Sequence, residues 1–253
     1  AFLKSREKPI TGVTKSGIYY VRVGQVCSGD GDTSVGNSAT HIKVWIEVVD
    51  QVHALGGILR VMINGDDSLP MTAGIKESTF RSVAVETFRR FGLKLVISRC
   101  SETDVRFCSG RFYRIQPAGW KFGPLPGRVM GKTFWSQTQF SEKSTKRVRW
   151  LRSIALSLQR DAAHVPILRA YVSNLVQSTE GYKELPLKYE DYFKIHASTS
   201  STASAAAIDD FCVDYAVTWA QVRDAEEFLS QIDVREPILL GGGLWDRLGE
   251  VDV

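Results

Sequence analysis

The run Ile58-Leu59-Arg60-Val61-Met62-Ile63 leads directly into Asn64-Gly65-Asp66-Asp67 and out again through Ser68-Leu69-Pro70-Met71. An apolar, β-branched run of this length reads as a buried strand, and a Gly-Asp step between two such stretches reads as the bend of a hairpin. Two carboxylates are thereby expected at the tip of a buried hairpin. Unpaired carboxylates in apolar surroundings are costly, so a divalent cation is their natural partner. Hard ions such as Mg²⁺ take a few carboxylates together with substrate phosphates, and two of them can clamp the attacking and leaving oxygens of an in-line phosphoryl transfer. The triplet Gly-Asp-Asp is weak by itself. At ordinary composition it arises by chance in roughly one chain of this size in twenty, and its bland reading is an acidic surface turn.

The surrounding pattern alternates strands and helices, which favours an α+β core. Ile18 to Val23 reads as a strand, followed by a Gly- and Asp-rich turn from Ser28 to Gly36. Asn37 to Ala54 carries Ala39, Ile42, Trp45, Ile46, Val49 and Val52 at helical spacing, and Gly56-Gly57 stops it. Glu77 to Phe91 is helical by period and closed by Gly92. Leu93 to Ile97 then reads as a strand, and Val105–Cys108 with Arg111–Ile115 as a strand pair around Ser109-Gly110. From Gly119 the texture changes, and Gly123-Pro124-Leu125-Pro126-Gly127 is expected to break regular structure. The expected division is 1–118 and 119–253. The second part is read as mainly helical, with helices from Trp150 to Val176 interrupted at Pro166, a polar stretch from Ala197 to Ala207, and a last helix around Phe211 to Phe228.

At the level of these residues the chain resembles the RNA-dependent RNA polymerases of positive-strand RNA viruses, of the tombusvirus and nodavirus type, over about Gly24 to Ser136. Cys27-Ser28-Gly29-Asp30-Gly31-Asp32-Thr33-Ser34-Val35-Gly36-Asn37 looks like the family's motif B. The resemblance places Ser28, Thr33 and Asn37 near the ribose 2′-hydroxyl, with Gly29 letting the loop move. Met62 to Asp67 looks like motif C, in which Asp66 would hold catalytic Mg²⁺ or Mn²⁺ and Asp67 would support it. Phe91-Gly92-Leu93-Lys94 resembles the end of motif D, making Lys94 the candidate proton donor to the pyrophosphate leaving group, although a lysine at a strand edge is as often simply solvated. Arg106 to Tyr113 resembles motif E, the hairpin that grips the nascent 3′ end, with Cys108, Ser109 and Arg111 as RNA contacts. Arg128 and Lys132, in the post-palm segment, are candidates for RNA phosphates and equally readable as solvent-facing. What the resemblance implies is part of a right-hand palm with a mainly helical thumb. It would synthesise RNA on an RNA template from ribonucleoside triphosphates.

The two-metal chemistry needs another aspartate, which the family supplies from motif A, upstream of motif B. The only carboxylate before Asp30 is Glu7. A fragment or one half of a split polymerase is therefore expected, inactive alone and partnered by an upstream segment carrying motif A. Asp209-Asp210-Phe211-Cys212-Val213-Asp214 has the Asp-x₄-Asp spacing of a motif A, but its Ala-rich, helix-periodic setting suggests a thumb helix instead. Reverse transcriptases usually place an aromatic residue where this chain has Asn64. The reading from another class is a non-catalytic RNA-binding module with a palm-like fold.

Composition is permissive. A net charge of +4 suits a polyanionic partner without demonstrating one. Basic residues concentrate between Lys143 and Arg160 while the tail from Asp224 to Val253 is rich in Asp and Glu, so any nucleic-acid contact is expected in the middle of the chain and not in the tail. Cys27, Cys100, Cys108 and Cys212 show no zinc spacing and suit a reducing compartment. No apolar run is long enough to cross a bilayer. What the resemblance implies for location is the host cytoplasm, in a viral replication complex.

Overall fold

The computed structural model describes residues 9–14, 16–23, 33–115, 119–134, 140, 145–185, 203–233, 235 and 240–252. The chain divides into two compact units, Ala1–Ser98 and Arg99–Val253. The hairpin after residue 105 thus belongs with the second unit, ahead of the change of texture at Gly119.

In the first unit, β1 (Ile10–Val13) and β2 (Tyr19–Arg22) form one antiparallel pair. Helix α1 (Thr33–Ala54) leads to β3 (Ile58–Asn64), which pairs antiparallel with β4 (Asp67–Ala73), and α2 (Glu77–Arg90) follows. Both helices end in the same way. The amides of Gly57 and Leu93 reach back to the carbonyls of Val52 and Phe88 at 3.0 and 2.9 Å, while Gly56 and Gly92 bond His53 and Arg89 at 2.9 and 3.0 Å. The apolar stripes of α1 and α2 meet over β3: Trp45 lies edge-on to Phe88 at 5.1 Å and stacks on Phe80 at 6.4 Å, beside Val48, Val52 and Leu59.

The strand expected over Leu93–Ile97 is not formed. Leu93, Leu95 and Ile97 alternate with exposed Lys94 and Val96 and pack on this core, so the period-2 pattern is present. Among the described residues, however, the segment has no ladder partner, and its recorded anchor is Arg81 Nη1 donating to the Ile97 carbonyl at 2.8 Å. Alternation fixes which side chains turn inward, whereas a strand also needs a neighbour.

In the second unit, β5 (Arg106–Phe107), β6 (Gly110–Arg114) and β7 (Trp120–Pro124) form a three-stranded antiparallel sheet. Around it lie α3 (Pro126–Lys132), α4 (Lys146–Ala162), α5 (Leu168–Ser178), α6 (Ala205–Asp214), α7 (Trp219–Gln231) and α8 (Leu244–Asp252). Their core runs from Tyr113 through Ala155, Tyr171 and Leu175 to Phe211, Tyr215 and Leu248.

The Gly123–Gly127 string breaks regular structure only at Leu125: it ends β7 and starts α3, with Pro126 in the first helical turn, where a missing N–H costs nothing. A Cβ on Gly127 would lie 2.2 Å from the Leu248 carbonyl, so this glycine permits α8 to cross α3 closely. The expected last helix is two helices, broken at Tyr215–Thr218. Thr218 caps α7 in a capping box with Gln221. The polar stretch before α6 lies outside the described residues as far as 202.

Candidate active site

The turn joining β3 and β4 contains only Gly65 and Asp66, since Asn64 pairs with Asp67. Gly65 takes φ +65° and Asp66 stays at negative φ, the sign pattern of a type II′ turn, which puts glycine first. No heavy atom lies within 4 Å of a Cβ built there, so the glycine is required by backbone conformation rather than by space.

Helix α1 holds this turn. The buried Gly65 N–H donates to Ser38 Oγ at 2.8 Å, and the Ser38 hydroxyl donates to the Ser34 carbonyl at 2.7 Å. Ser34 Oγ donates to Asn64 Oδ1 at 3.5 Å. Ser34, Ser38, His41, Trp45, Val48 and Val52 follow one another at alternating four- and three-residue steps, forming one stripe along α1. Its apolar end builds the core, and its polar end grips the turn. Sequence reading passed over Ser34 and Ser38; the signal was the continuation of the apolar stripe into two serines.

Asp66 and Asp67 are both exposed, and their carboxylates have no hydrogen-bond or ion-pair partner among the described residues. This corrects the picture of carboxylates forced together in a buried setting. The strand expected to be buried throughout turns only one face inward, with Leu59 buried and Val61 and Ile63 partly so while Ile58 and Met62 are exposed; β4 has no buried residue, and the tip projects beyond both. Burial therefore does not demand a cation here. The donor set nonetheless suits one: carboxylate oxygens on a rigid turn, with nothing else bound to them, leave the remaining positions of a hard ion to water and phosphate oxygens. Among the described residues no group of three or more His, Cys, Asp or Glu side chains is gathered for a metal.

Thr33 and Asn37 stand half-buried in the first turns of α1, on the helix that carries Ser38. Ser28 and Gly29 lie outside the described residues. Lys94 is exposed on the extended segment after α2.

The hairpin β5–β6 turns at Cys108 and Ser109, both at positive φ (49° and 61°), as a type I′ turn requires. Ser109 is exposed and Cys108 half-buried. Arg111 is not on this surface. Its side chain is 2% exposed, ion-paired with Asp214 of α6, stacked 5.1 Å from the Tyr113 ring centroid, and donating to the Thr103 carbonyl at 2.6 Å. Arg114 likewise engages both carboxylate oxygens of Asp210, one of them at 2.6 Å. The Asp-x₄-Asp element that mimicked a motif A is thus helical. Asp210 and Asp214, one turn apart on α6, anchor β6, and Asp209 accepts from Trp219 Nε1 at 2.7 Å.

Burial raises the Asp214 carboxyl above its usual range against the pull of Arg111, and raises Tyr113 and Tyr215 far above theirs. His164, fully buried with its ring edge toward Tyr113, is pushed down to about 4 by burial and then by Lys121.

Three arginines of the basic helix α4 are committed to backbone carbonyls of their own unit. Arg152 donates to the Val176 carbonyl at 2.7 Å, Arg149 to the Lys183 and Glu184 carbonyls at 2.9 and 3.2 Å, and Arg147 to the Arg235 carbonyl at 2.6 Å. Charge clustering in sequence here serves backbone carbonyls in the last turn of α5 and in the segments after α5 and α7. Arg128 is half-buried and Lys132 exposed on α3.

The sequence matches the family model described as viral RNA dependent RNA polymerase over residues 7–215. A comparison with curated proteins finds no match. No helix among the described residues is long and apolar enough to cross a membrane.

Proposed function

The chain belongs to the viral RNA dependent RNA polymerase family, and from that premise we propose that the Gly65–Asp67 turn is the metal-bearing part of its polymerisation site. The observation that carries this reading is the bond from the Gly65 N–H to Ser38. It joins the two segments that resemble motifs B and C into one rigid piece, fixing the carboxylates relative to the start of α1.

Asp66 and Asp67 would hold Mg²⁺ or Mn²⁺, which when bound supplies activation of the primer 3′-hydroxyl and neutralises charge on the triphosphate. The protein's own part is positioning. Asp66 is presented from a turn with only two residues of freedom, and Asp67 from the first position of β4. Thr33 and Asn37 offer hydroxyl and amide groups suited to the ribose 2′-hydroxyl, with Ser28 and Gly29 completing the loop. Lys94 is a proton donor within the same unit for the pyrophosphate. Cys108, Ser109, Arg128 and Lys132 contact RNA in the second unit, while Arg111 holds the hairpin from inside.

In this reading the first unit contributes palm and the second mainly thumb. A further aspartate, on a strand of a segment carrying motif A, completes the carboxylate set, because two carboxylates are too few for a two-metal site. The work is viral genome replication in the host cytoplasm. The commitment of Arg147, Arg149 and Arg152 to backbone carbonyls weighs against a purely electrostatic RNA-binding module.

The test is to combine the chain with a segment supplying the Asp-x₄₋₅-Asp strand and follow extension of a primed RNA. Asp66→Ala is expected to abolish extension without changing RNA affinity; wild-type extension by that variant sinks the assignment.

A further inference from the structure

Arg106 and Arg111 face each other across β5 and β6. Like charges directly opposite destabilise an antiparallel pair unless each is compensated. Here each meets a carboxylate from a different helix. Arg111 has Asp214 of α6. Arg106 has Asp252 of α8 at 3.4 Å and donates to the Val251 carbonyl at 2.6 Å; its remaining carboxylate, Asp104 at 3.3 Å, is half exposed.

Asp252 is built into the fold rather than resting on it. Its side chain is 0% exposed, and it accepts from the Tyr215 hydroxyl at 2.8 Å and from the Gly127 N–H at 2.7 Å. One carboxylate therefore connects β5, α3, α8 and the turn after α6. A buried charge with three donors is costly to disturb, because removing it leaves the others unpaired. Position 252 lies beyond the span matched to the family, residues 7–215.

We propose that Asp252 is a positioning residue through which helix α8 sets the Cys108–Ser109 turn for the 3′ end of the nascent RNA. The inference rests on the reading of that hairpin given above. Compensation of Arg106 keeps β5 in register with β6, and the two-residue turn they share then projects at a fixed angle. Without Asp252 the two guanidinium groups repel across the pair, and the turn loosens.

The experiment compares the wild-type chain with Asp252→Asn, Arg106→Gln and the double variant. Hydrogen exchange is followed over residues 105–115, together with anisotropy binding to an RNA duplex with a recessed 3′ end and to a blunt duplex. Asp252→Asn is expected to speed exchange in the hairpin roughly ten- to hundredfold, the range for loss of one buried charge-assisted contact. Preference for the recessed end should also fall. The double variant removes the repelling guanidinium and should recover slow exchange and the preference, which a general loss of fold would not allow. Unchanged hairpin exchange in Asp252→Asn overturns the proposal, as does a loosened hairpin with the preference intact. A wild-type chain with no preference between the duplexes instead refutes the assignment of the hairpin to RNA, on which this proposal rests.

Discussion

Replacing Ser38 with alanine removes one hydroxyl and leaves the buried Gly65 N–H facing a methyl group. The bond from Ser38 to the Ser34 carbonyl, at 2.7 Å, matters less, because a carbonyl one turn back in a helix already has its backbone partner. The cost is thus set by one orphaned buried donor, about 1–3 kcal/mol. Alanine's better helix propensity returns up to about 0.5 kcal/mol. The net loss is about 0.5–3 kcal/mol, and at about 2–4 °C per kcal/mol for a chain of this size the melting temperature falls by roughly 1–12 °C. Urea unfolding measures the global term, and amide exchange at Gly65 measures the local one. Ser38→Thr keeps the acceptor and should lie near the wild type. An alanine variant that unfolds at the wild-type urea midpoint with a slowly exchanging Gly65 amide would refute the claim that α1 holds the turn.

Gly65→Ala should cost about 1–2 kcal/mol by urea unfolding from its φ of +65° alone, since nothing within 4 Å would clash with the new methyl group. Gly127→Ala should cost more than Gly65→Ala in the same assay, because its methyl group would meet the Leu248 backbone at 2.2 Å and force α3 and α8 apart. His164 supplies a pH dependence. Its folded pKa of about 4 lies below the ordinary value near 6.5, so the unfolded chain takes up the proton first. Stability is then full above about pH 6.5 and declines as pH falls toward 4, by about 3 kcal/mol in all. His164→Gln should flatten that part of a urea-midpoint profile, and an unaltered slope would remove His164 as its cause.

The β3–β4 hairpin, α1, α2 and the β5–β6 hairpin were legible because each rests on local rules: apolar period, glycine after a helix, a two-residue bend. What escaped the sequence depended on partners distant along the chain. Leu93–Ile97 has a strand's alternation without a strand's neighbour. The run before Asp66 and Asp67 reads as wholly buried yet buries only its alternate residues, with Ile58 and Met62 exposed, and burial of a strand's inner face says nothing about its tip. Arg111 looked like an RNA contact until Asp214, a hundred residues away, was brought against it. The arginines of α4 looked like a polyanion site because sequence shows charge and not the carbonyls that receive it. Conversely, Ser34 and Ser38 appeared unremarkable beside Thr33 and Asn37, although their position on the Trp45 stripe decides which face of α1 meets the turn.

Manganese titration of the chain with nuclear magnetic resonance detection tests the central claim most directly, since a bound paramagnetic ion broadens only nearby amides and requires no catalysis. The account predicts broadening concentrated at Asn64–Asp67 and the first turns of α1, abolished by Asp66→Asn. Broadening centred elsewhere, for example at Asp209 and Asp210, with residues 64–67 still sharp, would contradict it.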